Sequence, residues 1–217
     1  MLVMVVDSAT AAVTAALARV GDDDVTLLAE RVTVDARGAG ELLAPQITAA
    51  LADGGATIGD LTAIVAGVGP GPFTGLRAGL VTAAAMGHAL ALPVYGVCTL
   101  DAIGLHLPGR ALVATDARRK EIYWAVYQDG TRLAGPDVAS PADVALDGIE
   151  RAAGDGAEKY ADVLALPVEG PRYPSALALA ELAADRVRAK APGETLTPLY
   201  LRRPDAVLPG ERKPALQ

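Results

Sequence analysis

Apolar positions at the start of the chain predict a small sheet. The run from Leu2 to Val6 is uninterrupted, as in a strand buried on both faces, and it ends at Asp7. Two further apolar segments follow at 12–18 and 25–34, separated by an acidic turn. Together the three segments predict an antiparallel meander.

Helical spacing begins at about residue 40. The segment 40–53 places leucine, isoleucine and alanine on one face, and Gly54 and Gly55 follow it as a stop signal. A short apolar strand at 63–68 then leads through Gly69-Pro70-Gly71-Pro72 into a second helix. We expect Thr74 to be the N-cap of this helix, because threonine accepts backbone N–H bonds well there, and the helix to end before Pro93.

The second helix carries small residues every fourth position, which gives one face almost without side chains: Gly75, Gly79, Ala83, Gly87 and Ala91. Interior glycines cost about 1 kcal/mol each against alanine in a helix, so a close contact must compensate for them. The contact is either with the protein's own sheet or with a helix of another molecule. The second interpretation predicts that Gly79→Leu prevents partner binding and leaves the fold intact.

The turn before this helix has two interpretations. A glycine-rich turn at a helix N-terminus favours anions, and Arg77 would add a cation. However, Pro70 and Pro72 remove two N–H donors, and no Gly-Lys-Ser or Gly-Lys-Thr follows. A phosphate cradle and a purely structural turn both stay open.

The opening pattern is repeated later in the chain. The segment 111–115 is again an apolar run ending in an aspartate, Asp116, and a turn leads into an alternating strand at 121–128. A third strand is predicted at 131–138 after an Asp-Gly turn, and a helix at 174–189. An internal duplication explains this arrangement economically. Asp7 and Asp116 then occupy equivalent places, where a carboxylate can cap the end of its strand by accepting hydrogen bonds.

Composition restricts the class of protein. The 217 residues carry a net charge of −7, which argues against a protein that holds nucleic acid on its own. The single cysteine, Cys98, excludes a disulfide framework and fits a reducing cytoplasm. Charged or polar residues interrupt every apolar run before it reaches membrane-spanning length, and the N-terminus lacks the basic residues of a signal peptide.

Three short basic clusters are also present. Each is interpreted as solvated surface charge, with contact to RNA as the alternative. They are Arg118, Arg119 and Lys120; Arg202 and Arg203; and Arg212 and Lys213.

The segment GVGPGPFTGLRAGLVTAAAMGHALALPVYGV resembles the signature of the TsaB (YeaZ) family, whose members take part in tRNA threonylcarbamoyladenosine synthesis. Further matching stretches occur in the family's order along nearly the whole chain: VVDSAT, ELLAPQI, DARRKEIYWAVY, GDGAEKY and PLYLRRPDA. The resemblance implies an α/β protein with the actin-like ATPase (ASKHA, ribonuclease-H-like) fold. We expect two related subdomains, 1–104 and 105–195, and an irregular tail at 196–217.

The resemblance also implies a function. The chain would be a non-catalytic paralogue of TsaD that binds TsaD and works with the ATPase TsaE. TsaD would then transfer the threonylcarbamoyl group to N6 of adenosine 37 in tRNA. The chain would have no cofactor of its own, because ATP or ADP and a metal are expected on TsaD and TsaE. It would form a homodimer when alone and meet tRNA only through the complex.

Two sets of residues follow from the same resemblance. Partner contact is expected on the two helices, through Leu43, Ile47 and Leu51 on the first and Phe73, Leu76, Gly79, Leu80 and Ala83 on the second. A remnant nucleotide site is expected at Asp7, Thr10, Gly71, Thr74 and Asp116.

The sequence lacks the recognisable catalytic patterns of related enzymes. TsaD carries a pair of metal-binding histidines after the strand that corresponds to 93–97, whereas this chain has Cys98 to Ala102 there. Its two histidines, His88 and His106, form no metal motif, and no nucleophile elbow is present. A stand-alone ATP-binding transferase and a metallopeptidase-like hydrolase are the remaining alternatives.

Overall fold

The structure is a computed structural model that describes residues 1–202. Its first sheet has the strand order β3-β2-β1-β4-β5. The three N-terminal strands form the predicted meander: β1 (Leu2–Asp7), β2 (Ala12–Val20) and β3 (Val25–Val34). Strands β4 (Ala63–Gly67) and β5 (Val94–Val97) extend the sheet in parallel on the other side of β1.

Helices cover both faces of this sheet. Helices α1 (Ala39–Asp53) and α2 (Phe73–Leu90) pack on the face that carries Met4 and Val6. Helix α6 (Ala176–Arg188) packs on the opposite face, against Val3 and Val5. Successive β1 side chains therefore enter two different cores, which is why this strand is a continuous apolar run.

The second sheet repeats the plan with the order β8-β7-β6-β9. Its strands are β6 (Arg110–Asp116), β7 (Ile122–Gln128), β8 (Thr131–Ala139) and the short β9 (Arg151–Ala153). Helix α3 (Thr99–Gly104) lies on one face, and α4 (Asp155–Lys159) and α5 (Ala161–Leu164) lie on the other. In both sheets an antiparallel hairpin is followed by a parallel strand on the far side of its first strand. The predicted duplication and the actin-like fold are confirmed.

Helix α6 belongs in sequence to the predicted second subdomain, 105–195, but packs on the first sheet. It follows the second sheet in sequence but its core contacts are with the first sheet, so the segment 105–195 is not confined to one layer. Beyond α6, residues 191–202 form an irregular segment that we call the C-terminal strap. The strap runs beside β5, where the Glu194 N–H donates to the Val94 carbonyl at 2.9 Å, and the Leu199 N–H donates to the Val68 carbonyl at 2.9 Å. The rest of the predicted tail, with Arg203, Arg212 and Lys213, lies outside the described residues.

Helix α2 begins earlier than the sequence indicated. Pro72 is the N-cap, and its carbonyl accepts the Leu76 N–H at 3.0 Å. The prediction that Thr74 is the N-cap is wrong, because Thr74 lies exposed inside the first turn. Proline accounts for the difference, because it needs no N–H partner and its extended ψ of 132° places its carbonyl at the start of the helix.

Candidate functional site

The carboxyl ends of β1 and β4 meet the start of α2, which is where the sequence placed a remnant nucleotide site. Asp7 is completely buried at this junction. Its Oδ1 accepts the Ala9 N–H at 2.9 Å, and its Oδ2 accepts the Thr99 hydroxyl at 2.7 Å. Burial raises the pKa of Asp7 to about 6, against the lowering effect of these hydrogen bonds. Both carboxylate oxygens therefore serve the protein's own structure.

Asp116 repeats part of this arrangement in the second sheet. Its Oδ1 accepts the Arg118 N–H at 3.1 Å, as Asp7 accepts the N–H two residues further on. The same oxygen lies 3.0 Å from Lys159 Nζ, and this hydrogen bond raises the pKa of Lys159. Asp155 accepts the Asp116 N–H at 3.2 Å, and burial raises the pKa of its carboxyl group. Of the two interpretations of these aspartates, the geometry favours strand-end capping.

The predicted nucleotide site also included Thr10, Gly71 and Thr74, and these three residues do not converge with Asp7. Thr10 and Asp116 line one small cavity of about 100 Å³ between the two sheets, together with Asp155. Gly71 does not line that cavity, and a Cβ on it would lie 2.1 Å from the Ala9 carbonyl oxygen. Thr74 is exposed on α2. The cavity is well below the roughly 300 Å³ at which ligand pockets begin.

The glycine-proline turn is held by the protein's own backbone. The Gly69 N–H donates to the Thr99 hydroxyl at 3.2 Å, and the Thr99 N–H donates to the Gly69 carbonyl at 2.8 Å. Gly71 lies against the Ala9 backbone with no room for a Cβ. The turn thus joins β1, β4 and α3, and the geometry supports the structural interpretation over the phosphate cradle.

The small-residue face of α2 packs on the protein's own sheet. A Cβ on Gly79 would lie 2.5 Å from Ser8 Oγ, and one on Gly87 would lie 2.2 Å from Val94 Cγ2. Ser8 is buried and bonded to this face: its hydroxyl donates to the Gly75 carbonyl at 2.7 Å and accepts the Gly79 N–H at 2.9 Å. The prediction that Gly79→Leu leaves the fold intact is wrong, because the leucine side chain would have no space.

Seven of the eight residues predicted for partner contact are buried in the core beneath α1 and α2: Leu43, Ile47, Leu51, Leu76, Gly79, Leu80 and Ala83. Phe73 is 58% exposed. Its ring lies 5.2 Å from that of Tyr200, with the Arg77 guanidinium 4.9 Å from its centroid. A surface on these helices is therefore made mostly by other residues.

Residues considered for catalysis are separated in the structure. Cys98 is buried, and burial raises the pKa of its thiol to about 11, so it is a poor nucleophile near neutral pH. His88 is exposed on α2, and His106 pairs with Glu181 at 2.7 Å. Within residues 1–202, no three histidine, cysteine, aspartate or glutamate side chains are grouped so that they could hold a metal ion. None of the helices in the same range is long and apolar enough to cross a membrane.

Comparison with known proteins agrees with this architecture. A family model described as TsaD, tRNA N6-adenosine threonylcarbamoyltransferase, matches residues 27–192, which is more than half of the chain. The solved structure of YeaZ from Pseudomonas aeruginosa has a TM-score of 0.77 at 25% identity and covers 92% of this chain and 99% of that chain. The chain is a TsaB/YeaZ-like member of the TsaD family.

Two sequence relatives give this assignment more detail. The tRNA threonylcarbamoyladenosine biosynthesis protein TsaB of Escherichia coli is 37% identical over 89 residues, which is 39% of this chain and 38% of the relative. An uncharacterized protein of Mycobacterium tuberculosis is 53% identical over 204 residues, covering 94% of this chain and 93% of the relative. The second relative shares almost the full length of this TsaB/YeaZ-like chain.

Proposed function

We propose that this chain is a non-catalytic partner of TsaD in the synthesis of N6-threonylcarbamoyladenosine in tRNA, acting with TsaE. Membership of the family, with a TsaB among its relatives, supports a place in this modification. The observation that carries the non-catalytic role is the closed cleft at Thr10 and Asp116, where the ends of the two sheets meet. An active enzyme of this fold needs room for a nucleotide where this chain has a cavity of about 100 Å³.

The closed cleft has a clear physical origin. Gly71 contacts the Ala9 backbone. Asp7 is enclosed by Thr99 and by Gly67, which lies so close that a Cβ on it would overlap Asp7 Oδ2. A nucleotide could reach Asp7 only if these contacts were broken. We infer that nucleotide and metal chemistry belongs to TsaD and TsaE, and that this chain has no cofactor of its own.

The contact surface of this proposal is the outer face of α1 and α2. Its exposed positions on α1 include Ala44, Pro45, Thr48 and Ala52, and those on α2 include Val81, Ala84, Ala85 and Ala89. Val81 is 61% exposed and is the largest apolar side chain among these exposed positions. Small, uncharged side chains let two helix pairs approach closely, and the buried leucines behind them hold both helices in place. In the absence of TsaD, the same face would form a homodimer in the cytoplasm, and tRNA would be bound by the complex as a whole.

Reconstitution tests the proposal. TsaD, TsaE, threonylcarbamoyl adenylate and unmodified tRNA are incubated with and without this chain, and modified adenosine is measured by mass spectrometry. We expect product only when the chain and TsaD are both present, and none from the chain alone. Product from the chain without TsaD would replace the proposal with a stand-alone transferase. Equal product with and without the chain would remove its role as a partner.

A further inference from the structure

A second and larger cavity lies on the other side of the glycine-proline turn. Its volume is about 700 Å³, and it is bounded by the turn before α2, the tip of the β6–β7 hairpin and the end of the C-terminal strap. Aromatic and cationic side chains dominate its walls: Phe73, Tyr123 and Tyr200, with Arg118, Arg119 and Arg202. No carboxylate lines it among the described residues, although the chain as a whole has a net charge of −7.

The aromatic wall is held in place. Arg77 lies over one part of the Phe73 ring at 4.9 Å, and the Phe73 ring supports Tyr200 at 5.2 Å with an angle of 34° between the planes. Tyr200 remains 46% exposed, so a ring surface is available at the rim. Tyr123 forms the floor, is buried, and lies with its hydroxyl 3.4 Å from the Gly71 carbonyl. A fixed, exposed aromatic ring loses little entropy when a planar group stacks on it.

The cationic wall is also organised. Arg202 is held by Glu121 and by the Ala117 carbonyl, to which its Nη1 donates at 2.9 Å. It is therefore a fixed structural charge, and its interpretation as solvated surface charge is wrong. Arg118 is 55% exposed and lies at 3.9 Å from Asp116, which is already paired with Lys159. Arg118 lines both this cavity and the small one beside Asp116, and its side chain is largely exposed with only a weak competing carboxylate.

We propose that this cavity binds a nucleotide of a single-stranded RNA, with its base stacked on Tyr200 and its phosphates beside Arg118. Aromatic platforms combined with arginines are the usual means of holding unpaired nucleotides, since every base has a stacking face and every linkage has a phosphate. Arg77, 4.9 Å from the Phe73 ring centroid, and Arg118 in the cavity wall supply two cations for a strand with several phosphates. The choice of RNA over DNA rests on the proposed function, whereas the stacking and charge argument does not.

The proposal gives this chain a direct share in holding the substrate. The rest of the surface is acidic, so the chain alone should bind RNA weakly and with strong dependence on salt. The cavity adjoins the N-terminal end of α2, at the edge of the face proposed to bind TsaD. RNA held there would lie beside the junction of the two proteins.

The test uses the full chain alone, so that RNA binding by TsaD does not contribute. Fluorescence anisotropy measures binding of a labelled single-stranded oligoribonucleotide of about 12 nucleotides at low salt. We expect Tyr200→Ala to weaken binding by about tenfold and Tyr200→Phe, which keeps the ring, to stay within about twofold. Arg118→Gln should weaken binding and lower the salt dependence by about one phosphate contact. Arg19→Ala, an exposed arginine at the opposite end of the first sheet, is the charge control and should leave binding unchanged.

Three results would overturn the proposal. They are no binding of RNA by the wild-type chain, equal losses in Tyr200→Ala and Arg19→Ala, and binding of adenosine monophosphate without any binding of RNA. Ultraviolet cross-linking followed by peptide mapping gives a second measurement on the unmutated protein. Cross-links in 71–73, 117–123 or 200–202 are expected, and cross-links only elsewhere would contradict the site. Because no TsaD is present, failure here leaves the reconstitution result intact, and failed reconstitution leaves this binding result intact.

Discussion

Individual polar residues hold the junction of β1, β4 and α2 together. Asp7, Ser8 and Thr99 are all buried, and each connects segments that are far apart in sequence. Thr99 donates to Asp7 and accepts from Gly69, while Ser8 donates to Gly75 and accepts from Gly79. Buried polar groups are stable only when their hydrogen bonds are satisfied, so each of these side chains depends on the others.

The buried carboxyl of Asp7 makes stability depend on pH. Its pKa in the folded protein is about 6, above the ordinary aspartate value of 3.8, mainly because burial disfavours the charge. Between about pH 4 and pH 6 the folded state therefore keeps a proton that the unfolded state has lost. The free energy of unfolding of the wild type falls as pH rises through this range. The amide side chain of Asp7→Asn does not titrate, so the variant lacks this pH dependence. We expect the stability of Asp7→Asn relative to wild type to increase by about 3 kcal/mol between about pH 4 and pH 7.

Urea unfolding at several pH values measures this difference. Asp129→Asn is a control of opposite sign, since hydrogen bonds from Gln128 and from the Gly109 N–H lower the pKa of Asp129. Its relative stability should fall slightly as pH rises. A pH-independent difference between Asp7→Asn and wild type would show that the Asp7 carboxyl is not desolvated in the folded state.

At the scale of elements, α2 is the helix on which the junction depends. Its small residues let the loop after β1 and the start of β5 approach the helix more closely than a larger side chain would allow. The glycine at 79 lowers intrinsic helix stability, but its N–H and its missing Cβ allow Ser8 to reach the helix backbone. Tight packing therefore compensates for poor helix propensity.

The cost of this packing can be measured with two glycine substitutions. Gly79→Ala places a Cβ 2.5 Å from Ser8 Oγ, so we expect a loss of about 1 to 3 kcal/mol despite the better helix former. Gly40→Ala is the matched control, because a Cβ in the first turn of α1 would meet nothing within 4 Å. That variant should gain a few tenths to about 1 kcal/mol. Chemical denaturation compares the two, and equal effects would contradict the packing argument.

At the scale of the whole molecule, two related sheets are joined by segments that return to the first. Helix α6 covers the first sheet after the chain has completed the second, and Arg186 on α6 pairs with Glu194 of the C-terminal strap at 2.8 Å. Tyr95 of β5 donates to the Ala191 carbonyl at 2.7 Å. These contacts direct the strap to the cavity wall that carries Tyr200.

The proposed partner surface is a property of this assembled molecule. Val81→Glu adds a charge to the exposed outer face of α2 and should prevent TsaD binding and tRNA modification while leaving unfolding unchanged. A tenfold or greater loss of affinity is expected, because a carboxylate buried in an apolar interface lacks a partner. Val163→Glu is the matched control, since Val163 is also an exposed helical valine at 52% exposure. Gel filtration of each variant with TsaD measures binding, and equal behaviour of the two would contradict the assignment of this face.

Much of the fold was predictable from local patterns. The bounds of β3 were predicted to the residue, and the repeat of strand, aspartate and hairpin identified both sheets, because strand periodicity and turn residues act over a few positions. The short β9 gave no such signal. Three residues between loops are too few for a periodicity, and its partner β6 lies about 40 residues away in sequence.

Local sequence patterns specify which segments become strands and helices, and the order of motifs specifies the duplicated plan and the family, because these features depend on residues close together in the chain. Which side of each helix is covered depends instead on packing between distant segments. Leu43 and Leu76 have the apolar character of an interface, yet the sheet buries them and leaves Val81 exposed. The tertiary structure also decided that Tyr200 contacts Phe73 and lines one cavity with Arg118, because side chains more than 80 residues apart come together only through packing of the strap against the first sheet.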